Sequence, residues 1–358
     1  MPRPEKHIIV VGAGIIGASI AWHLVRANMR VTVVDAAMPG GVASPCSFGW
    51  INASYGNPRP YFDLRCRSMR EWDRMASEID RLPYRKTGTL YTDFERIDLD
   101  TFAAQHTGWG YDIRWITRDE ARRLEPNLTS IPERALLAQD EGVAEAQETA
   151  RFLIELCRDQ GAEIVPNTRI NALQVSGSRV TGVVTGNDGI GADDVVVAAG
   201  AETPEIAATA EIHIPLRTPP GLLIQTEPHA RIVHRTVLAP DLHVRQRSDG
   251  VIVAGADFGG GAINDDPEAG GAKLLARLGD MFEGAKGLKV ACATTGFRPT
   301  PEDGFPIIGR PANIDGLYLA VMHSGVTLAP AAGLFAAQEI IEGVRDPLLS
   351  PFGVDRFV

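Results

Sequence analysis

His7-Ile-Ile-Val-Val-Gly12-Ala-Gly14-Ile-Ile-Gly17 begins with a β-branched apolar run and breaks into three spaced glycines. The run reads as a short buried strand, and the apolar spacing over 15–27 reads as a helix. A second such run, Val31-Thr-Val-Val-Asp35, follows. Strand, glycine turn, helix and strand within about thirty residues form the unit that builds a parallel sheet. Each glycine of this G-x-G-x-x-G pattern answers a separate demand. Gly12 permits the tight turn, Gly14 lets backbone N–H groups approach a pyrophosphate, and Gly17 lets helix and strand close together. The helix N-terminus then favours the anion. Asp35, about twenty residues on, is placed to accept hydrogen bonds from ribose hydroxyls. The pattern predicts a dinucleotide site but does not separate FAD from NAD, and taken alone it also fits a purely structural strand-turn-helix.

Outward from this unit, 39–60 is rich in Gly, Ser, Pro and Asn and reads as a long irregular loop of the kind a ligand holds. Helical spacing resumes over 61–79. The segment 82–137 is mixed and aromatic, with Trp109 and Trp115, and reads as part of a separate lobe. A helix over 149–160 is closed by Gly161. Alternation over 175–184, a turn at Asn187-Asp-Gly189 and the apolar Val195-Val-Val-Ala-Ala199 predict a hairpin feeding a buried strand. Alternation with charges over 216–255 predicts a second sheet, and 273–282 a helix. The chain closes with a strand over 317–321 and a helix from about 326 to Gly343. The expected division is a discontinuous nucleotide-binding domain (1–80, 138–215 and 290–358) and a covering domain (81–137 and 216–289).

At 358 residues the chain has room for two joined lobes. Hydrophobic residues at 44% with charged residues at 22%, and no apolar run of about eighteen residues, predict a soluble protein without a transmembrane segment. The opening residues lack the long apolar stretch and cleavage site of a signal peptide, so the expected location is cytoplasmic. Cys46, Cys66, Cys157 and Cys292 are scattered, with no C-x-x-C pair and no histidine at metal-ligand spacing, which predicts reduced thiols and no metal. A net charge of -10 argues against nucleic acid as a partner.

The order of segments resembles the D-amino-acid oxidase and glycine oxidase family of flavoproteins over nearly the whole chain. The likeness is carried by the glycine fingerprint, by Ala43-Ser-Pro-Cys-Ser-Phe-Gly49, by Val195-Val-Val-Ala-Ala-Gly200, by Gly296-Phe-Arg-Pro-Thr-Pro-Glu-Asp-Gly-Phe-Pro-Ile-Ile-Gly309 and by His323-Ser-Gly-Val-Thr-Leu-Ala-Pro330. It implies an α/β fold: a Rossmann-like FAD-binding domain of the GR2-type flavoproteins with an inserted antiparallel-sheet substrate domain. It also implies FAD contacts from Gly12, Gly14, Ile16, Gly17 and Asp35, from Ser44, Ser47 and Gly49, and from Ile170 and Gly200. Family members with covalent flavin use a cysteine close to the position of Gly296. The nearest thiol in sequence, Cys292, stands several residues earlier, so FAD is expected to be non-covalent.

Read from its residues, the terminal motif makes a flavin cradle. A strand delivers His323-Ser324-Gly325 into a helix whose free N–H groups fall at Val326, Thr327 and Leu328, and a helix N-terminus favours the negative charge of a reduced flavin. The competing reading is a loop-to-helix junction capped by Ser324 or Thr327.

For the substrate, the resemblance implies that Arg298 of the G-x-R-P element pairs with a carboxylate, which a guanidinium grips through two oxygens. A surface or inter-lobe ion pair to Glu302 or Asp303 is the alternative. In Leu242-His-Val-Arg-Gln-Arg247, His243, Arg245 and Arg247 share a strand face, and His243 stands where the family often carries an active-site tyrosine. Two readings follow: extra positive charge in the pocket for a dicarboxylate, or a solvated edge. Tyr55, Asn52, Trp50 and His323 are candidate pocket walls, and His243 or His323 is a candidate for assisting amine deprotonation.

The combined expectation is an FAD enzyme that takes a hydride at flavin N5 from the carbon beside the nitrogen of a small carboxylate-bearing amine, with imine hydrolysis after it. The partners are that amine or amino acid, with a dicarboxylate such as iminodiacetate included, and oxygen, a quinone or an electron carrier as acceptor; an oligomer is permitted. The rivals are a quinone-linked D-amino-acid dehydrogenase, a flavin-bearing subunit of a larger complex, and an NAD-dependent dehydrogenase.

Overall fold

The computed structural model describes residues 6–54, 56–92, 98–240, 242–256 and 266–357. Two large sheets organise them. The first has six strands in the order Ile307–Gly309, Leu317–Val321, Asp194–Val197, His7–Val11, Arg30–Val34 and Glu163–Val165. All neighbours run parallel except the edge strand Ile307–Gly309. Both faces of this sheet are covered, which is why its strands are apolar without alternation. Ile8 and Val10 pack with the helices Ile15–Arg26, Ala146–Asp159 and Gly325–Glu342. Ile9 and Val11 pack, with Val195 and Val197, against a three-stranded meander of Ile170–Ser176, Arg179–Thr185 and Asp188–Gly191. The meander adds a strand to the hairpin that the sequence suggested, and its second turn falls at 186–187 because Asp188 and Gly189 already pair with Thr185 and Val184.

Helices Ile15–Arg26 and Gly325–Glu342 cross closely at Gly333, where any side chain would overlap Ser19 and meet His23. The Ser19 hydroxyl donates to the Ala329 carbonyl at 2.7 Å across the crossing. The helix carrying the glycine fingerprint is thereby fixed to the helix carrying the terminal motif.

The second sheet has eight strands in the order Val290–Phe297, Pro220–Thr226, Ile252–Gly255, Leu242–Gln246, Thr236–Ala239, Thr89–Tyr91, Arg134–Ala138 and Ile113–Thr117. It is antiparallel except where Thr236–Ala239 meets Thr89–Tyr91 in parallel, so the inserted sheet is mixed rather than purely antiparallel. The strand Val290–Phe297 pairs with Pro220–Thr226 along its length, which carries this sheet past the division expected at 289. Alternation assigns its faces: Ile224, Leu242, Val244, Ile252 and Ala254 pack on the helix Pro267–Met281 through Leu274 and Leu278. Leu223, His243 and Arg245 turn to the opposite side, toward the first sheet.

Candidate active site

The carboxyl ends of the parallel strands all open on one cavity of about 790 Å³. Gly12 follows the first strand, Asp35 the second, Ala198 to Gly200 the fourth, and Met322 and His323 the last, and all of them line it. This is the place where open parallel sheets bind ligands. Five adjacent strand ends at about 4.8 Å spacing make a slot roughly 20 Å long.

Gly12 has φ +103, and a Cβ there would overlap the Ala198 carbonyl, so only glycine allows the two strand ends to meet. Gly14 is the N-cap of the helix Ile15–Arg26 and supplies no side-chain cap. Ser44 reaches over this helix end, accepting from the Ile15 N–H at 3.4 Å. Asp35 accepts from Ala13 N–H at 2.6 Å and Ala37 N–H at 2.8 Å, which orients its carboxylate on the cavity wall. Ile16, Ser47, Gly49, Ile170 and Gly200 also line the cavity. Gly17 does not: it is buried behind Gly12, where a side chain would overlap the Gly12 carbonyl, and its part is packing.

At the other end Ser324 adopts the left-handed conformation (φ 57) at the N-cap of the helix Gly325–Glu342, again with no side-chain cap. Its hydroxyl lies 3.0 Å from His323 Nδ1 instead. Ser324, Gly325 and Val326 therefore line the cavity at an uncapped helix N-terminus. Thr327, expected at the cofactor, is buried away from the wall; its hydroxyl donates to the Trp50 carbonyl at 3.2 Å and accepts from Asn52 N–H at 3.4 Å. Thr327 fastens the long loop to the helix and caps nothing. Two helix N-termini whose N-cap residues make no side-chain cap, a glycine-lined slot and an acidic residue at one end suit a dinucleotide with a charged middle and a flat ring that accepts negative charge. The residues fit FAD.

Arg298, His243, His323, Asn52 and Trp50 all reach this same cavity. Arg298 lies across Gly221 of the neighbouring strand, where a Cβ would overlap its Nη2 and come 2.8 Å from its Cζ. The alternative acid Asp303 is held by Arg356, at 2.8 and 3.1 Å, and not by Arg298. His243 fits because its paired neighbour Gly255 has no side chain. Burial, and then the charge of Arg298, pushes the His243 pKa down to about 3. Burial, Arg298 and Arg65 push His323 down to about 4. Both rings are neutral at neutral pH, and at these values they are weak bases, which weighs against either as the group that assists amine deprotonation. Tyr55 lies outside the described residues.

Arg245 and Arg247 share a face with His243 but do not line the cavity. Arg245 is 3% exposed, donates to Glu145 at 2.6 and 2.9 Å, and also binds the Phe48 carbonyl. Arg247 pairs with Glu148 and Asp249. Acidic partners contributed by the helix Ala146–Asp159 and its N-cap absorb this charge, so the basic strand adds none to the pocket. Arg65 and Cys46 were missed by the sequence reading, and both line the cavity. Arg65 falls on the buried face of the helix Arg59–Glu78 with Tyr61, Ser68 and Trp72, and its helical spacing from those residues was the available signal. Cys46 packs on Gly296, whose Cβ would stand 2.7 Å from its own. Burial raises the Cys46 pKa, which keeps the thiol protonated.

A dinucleotide slot joined to a pocket lined by Arg298 and Arg65 suits a cofactor-dependent oxidoreductase. Residues 7–339 match the family model described as FAD dependent oxidoreductase (DAO), and the chain belongs to this family and is FAD-dependent. It is similar to a glycine oxidase of Bacillus licheniformis, 27% identical over 99% of this chain and 98% of the relative. It is also similar to an opine oxidase subunit of Rhizobium meliloti, 28% identical over 99% of this chain and 98% of the relative. Among solved structures, glycine oxidase from Geobacillus kaustophilus superposes with a TM-score of 0.87 at 23% identity, covering 99% of this chain and 100% of that one. Family membership sets aside the NAD-dependent alternative. Among the described residues, no helix is long and apolar enough to cross a membrane, and no group of three or more side chains is arranged to hold a metal.

Proposed function

We propose that the chain oxidises the C–N bond of a small amine bearing a carboxylate, and that Arg298 holds that carboxylate. The observation that carries the reading is Arg298 on the wall of the cofactor cavity, with room made for it by Gly221. The glycine oxidase and opine oxidase relatives support the same class of substrate. FAD, which Gly12, Gly14, Asp35 and Ser324 to Val326 would hold, would supply a two-electron acceptor, with oxygen, a quinone or an electron carrier as the final oxidant.

The guanidinium of Arg298 orients the amine by a two-point grip on its carboxylate. Trp50, Tyr61, Leu223 and Phe305 on the wall exclude water around it. The burial, and after it the positive charge, that hold His243 and His323 neutral also disfavour an ammonium, so the bound amine keeps the free electron pair that oxidation needs. Loss of a hydride from the carbon beside nitrogen would leave an iminium ion, and water would convert it to a carbonyl compound and ammonium or a shorter alkylammonium. The half-buried, protonated Cys46 agrees with FAD held without a covalent bond.

A panel of glycine, sarcosine, D-amino acids, proline and iminodiacetate, scored anaerobically by bleaching of the flavin, tests the reading: at least one carboxylate-bearing amine should bleach it. The opine oxidase relative is named as one component of an enzyme, which favours a second reading in which this chain works within an assembly. Bleaching of the isolated chain would remove the need for one.

A further inference from the structure

We propose that Arg65 is a second anion-binding group of this cavity, and that the amine substrate carries two carboxylates, one on Arg298 and the other on Arg65. This rests on the amine-oxidation reading above.

Arg65 is 4% exposed and lines the cavity. Arg59, Arg67 and Arg74 of the same helix each pair with a carboxylate. Arg65 makes no such pair among the described residues. Its Nε and Nη2 donate to the Asn52 backbone and side-chain carbonyls, both at 2.8 Å, and its Nη1 donates to the Tyr61 hydroxyl at 3.4 Å. Every acceptor is neutral. A guanidinium has five N–H groups, so one remains on each terminal nitrogen, enough to serve the two oxygens of a carboxylate.

The buried acid behind this wall, Glu141, is already satisfied by Trp50, Ser54, Tyr91 and Tyr111 and gives Arg65 no hydrogen bond. A buried cation with no counter-charge is costly, and a ligand carboxylate removes that cost. Arg65 and Arg298 also act together on one side chain, since both charges depress the pKa of His323 on the shared wall. The structure thus moves the second positive charge from the strand Leu242–Gln246 to the helix Arg59–Glu78.

Sarcosine and iminodiacetate share an N-carboxymethyl amine and differ by one carboxylate. With the FAD-loaded protein, anaerobic flavin reduction should favour iminodiacetate by about tenfold to a hundredfold in apparent kcat/KM, the range of one charge-assisted contact. Arg65→Met should abolish that preference, chiefly through KM for iminodiacetate, and Arg65→Lys should retain part of it. The ratio within one preparation is independent of the fraction correctly folded. Equal use of both amines by the native protein, or an unchanged ratio in Arg65→Met, whatever its FAD content, would overturn the proposal. If neither amine bleaches the flavin, the remaining amines of the panel decide the amine-oxidation reading, which fails separately when none of them does. The ratio of the two binding constants, read from perturbation of the flavin spectrum, then decides Arg65, and no perturbation by either amine overturns this proposal too.

Discussion

Arg245 and Glu145 meet in a two-pronged ion pair, Nη1 to Oε1 at 2.6 Å and Nη2 to Oε2 at 2.9 Å. Glu145 is the N-cap residue of the helix Ala146–Asp159, which packs under the six-stranded sheet, and Arg245 belongs to the eight-stranded sheet. The pair therefore fastens one half of the molecule to the other beside the cavity. Burial alone would raise the Glu145 pKa, but Arg245, with Arg247 and Arg85, holds it below the ordinary 4.5.

Removing one partner of such a pair leaves a buried charge uncompensated. Glu145→Gln should lower unfolding free energy by about 3–5 kcal/mol. Because the folded pKa is depressed, the native pair stabilises above about pH 4.5 and loses that contribution as pH falls through the folded value. Denaturant titrations of both proteins at several pH values should therefore converge in acid. Arg245→Met should also destabilise, but without changing the ratio of iminodiacetate to sarcosine use.

Gly221→Ala places a methyl group where the end of the Arg298 side chain lies. A flexible side chain can move aside, so the fold should hold and the guanidinium should shift. Steady-state kinetics should show KM for carboxylate-bearing amines raised by about tenfold or more, with FAD content close to native. An unchanged KM would mean that the position of Arg298 does not matter to substrate.

A histidine whose folded pKa is depressed binds fewer protons when folded than when unfolded. Stability should therefore fall as pH drops from 6.5, by about 1.4 kcal/mol per unit for each such group, until its folded pKa is reached. His243, pushed down to about 3, is the strongest case. His243→Gln should flatten the stability profile between pH 6.5 and 4 by about one proton. The same neutrality predicts no inflection near pH 6.5 in kcat/KM from either cavity histidine.

Flavin held without a covalent bond should leave the polypeptide on acid precipitation. The supernatant should be yellow and the pellet colourless. Colour retained in the pellet would point to Cys46, the thiol on the cavity wall beside Gly296.

The parallel half of this architecture was legible because its signals are local. His7–Val11, the glycine turn and Leu317–Val321 each read from a few adjacent residues, and the observed strands match those limits. The order of the eight-stranded sheet was not legible, since Thr89–Tyr91 pairs with Thr236–Ala239 nearly 150 residues on. The misreading of Arg245 has the same origin. Strand alternation correctly put it on the face of His243, but the acid that neutralises it comes from a distant helix cap. Arg65 was hidden differently: its spacing from Tyr61, Ser68 and Trp72 marks the buried face, but in a helix with many charges nothing local shows that it goes without an acid. The purpose of Gly221 and Gly255 emerges only from the side chains laid across them.

Anaerobic flavin reduction in Arg298→Leu tests the central claim most directly. If Arg298 holds the substrate carboxylate, the variant should keep its FAD and need at least about a hundredfold more substrate for the same rate of bleaching. A variant that loses its flavin while its substrate dependence stays that of the native protein would contradict the account.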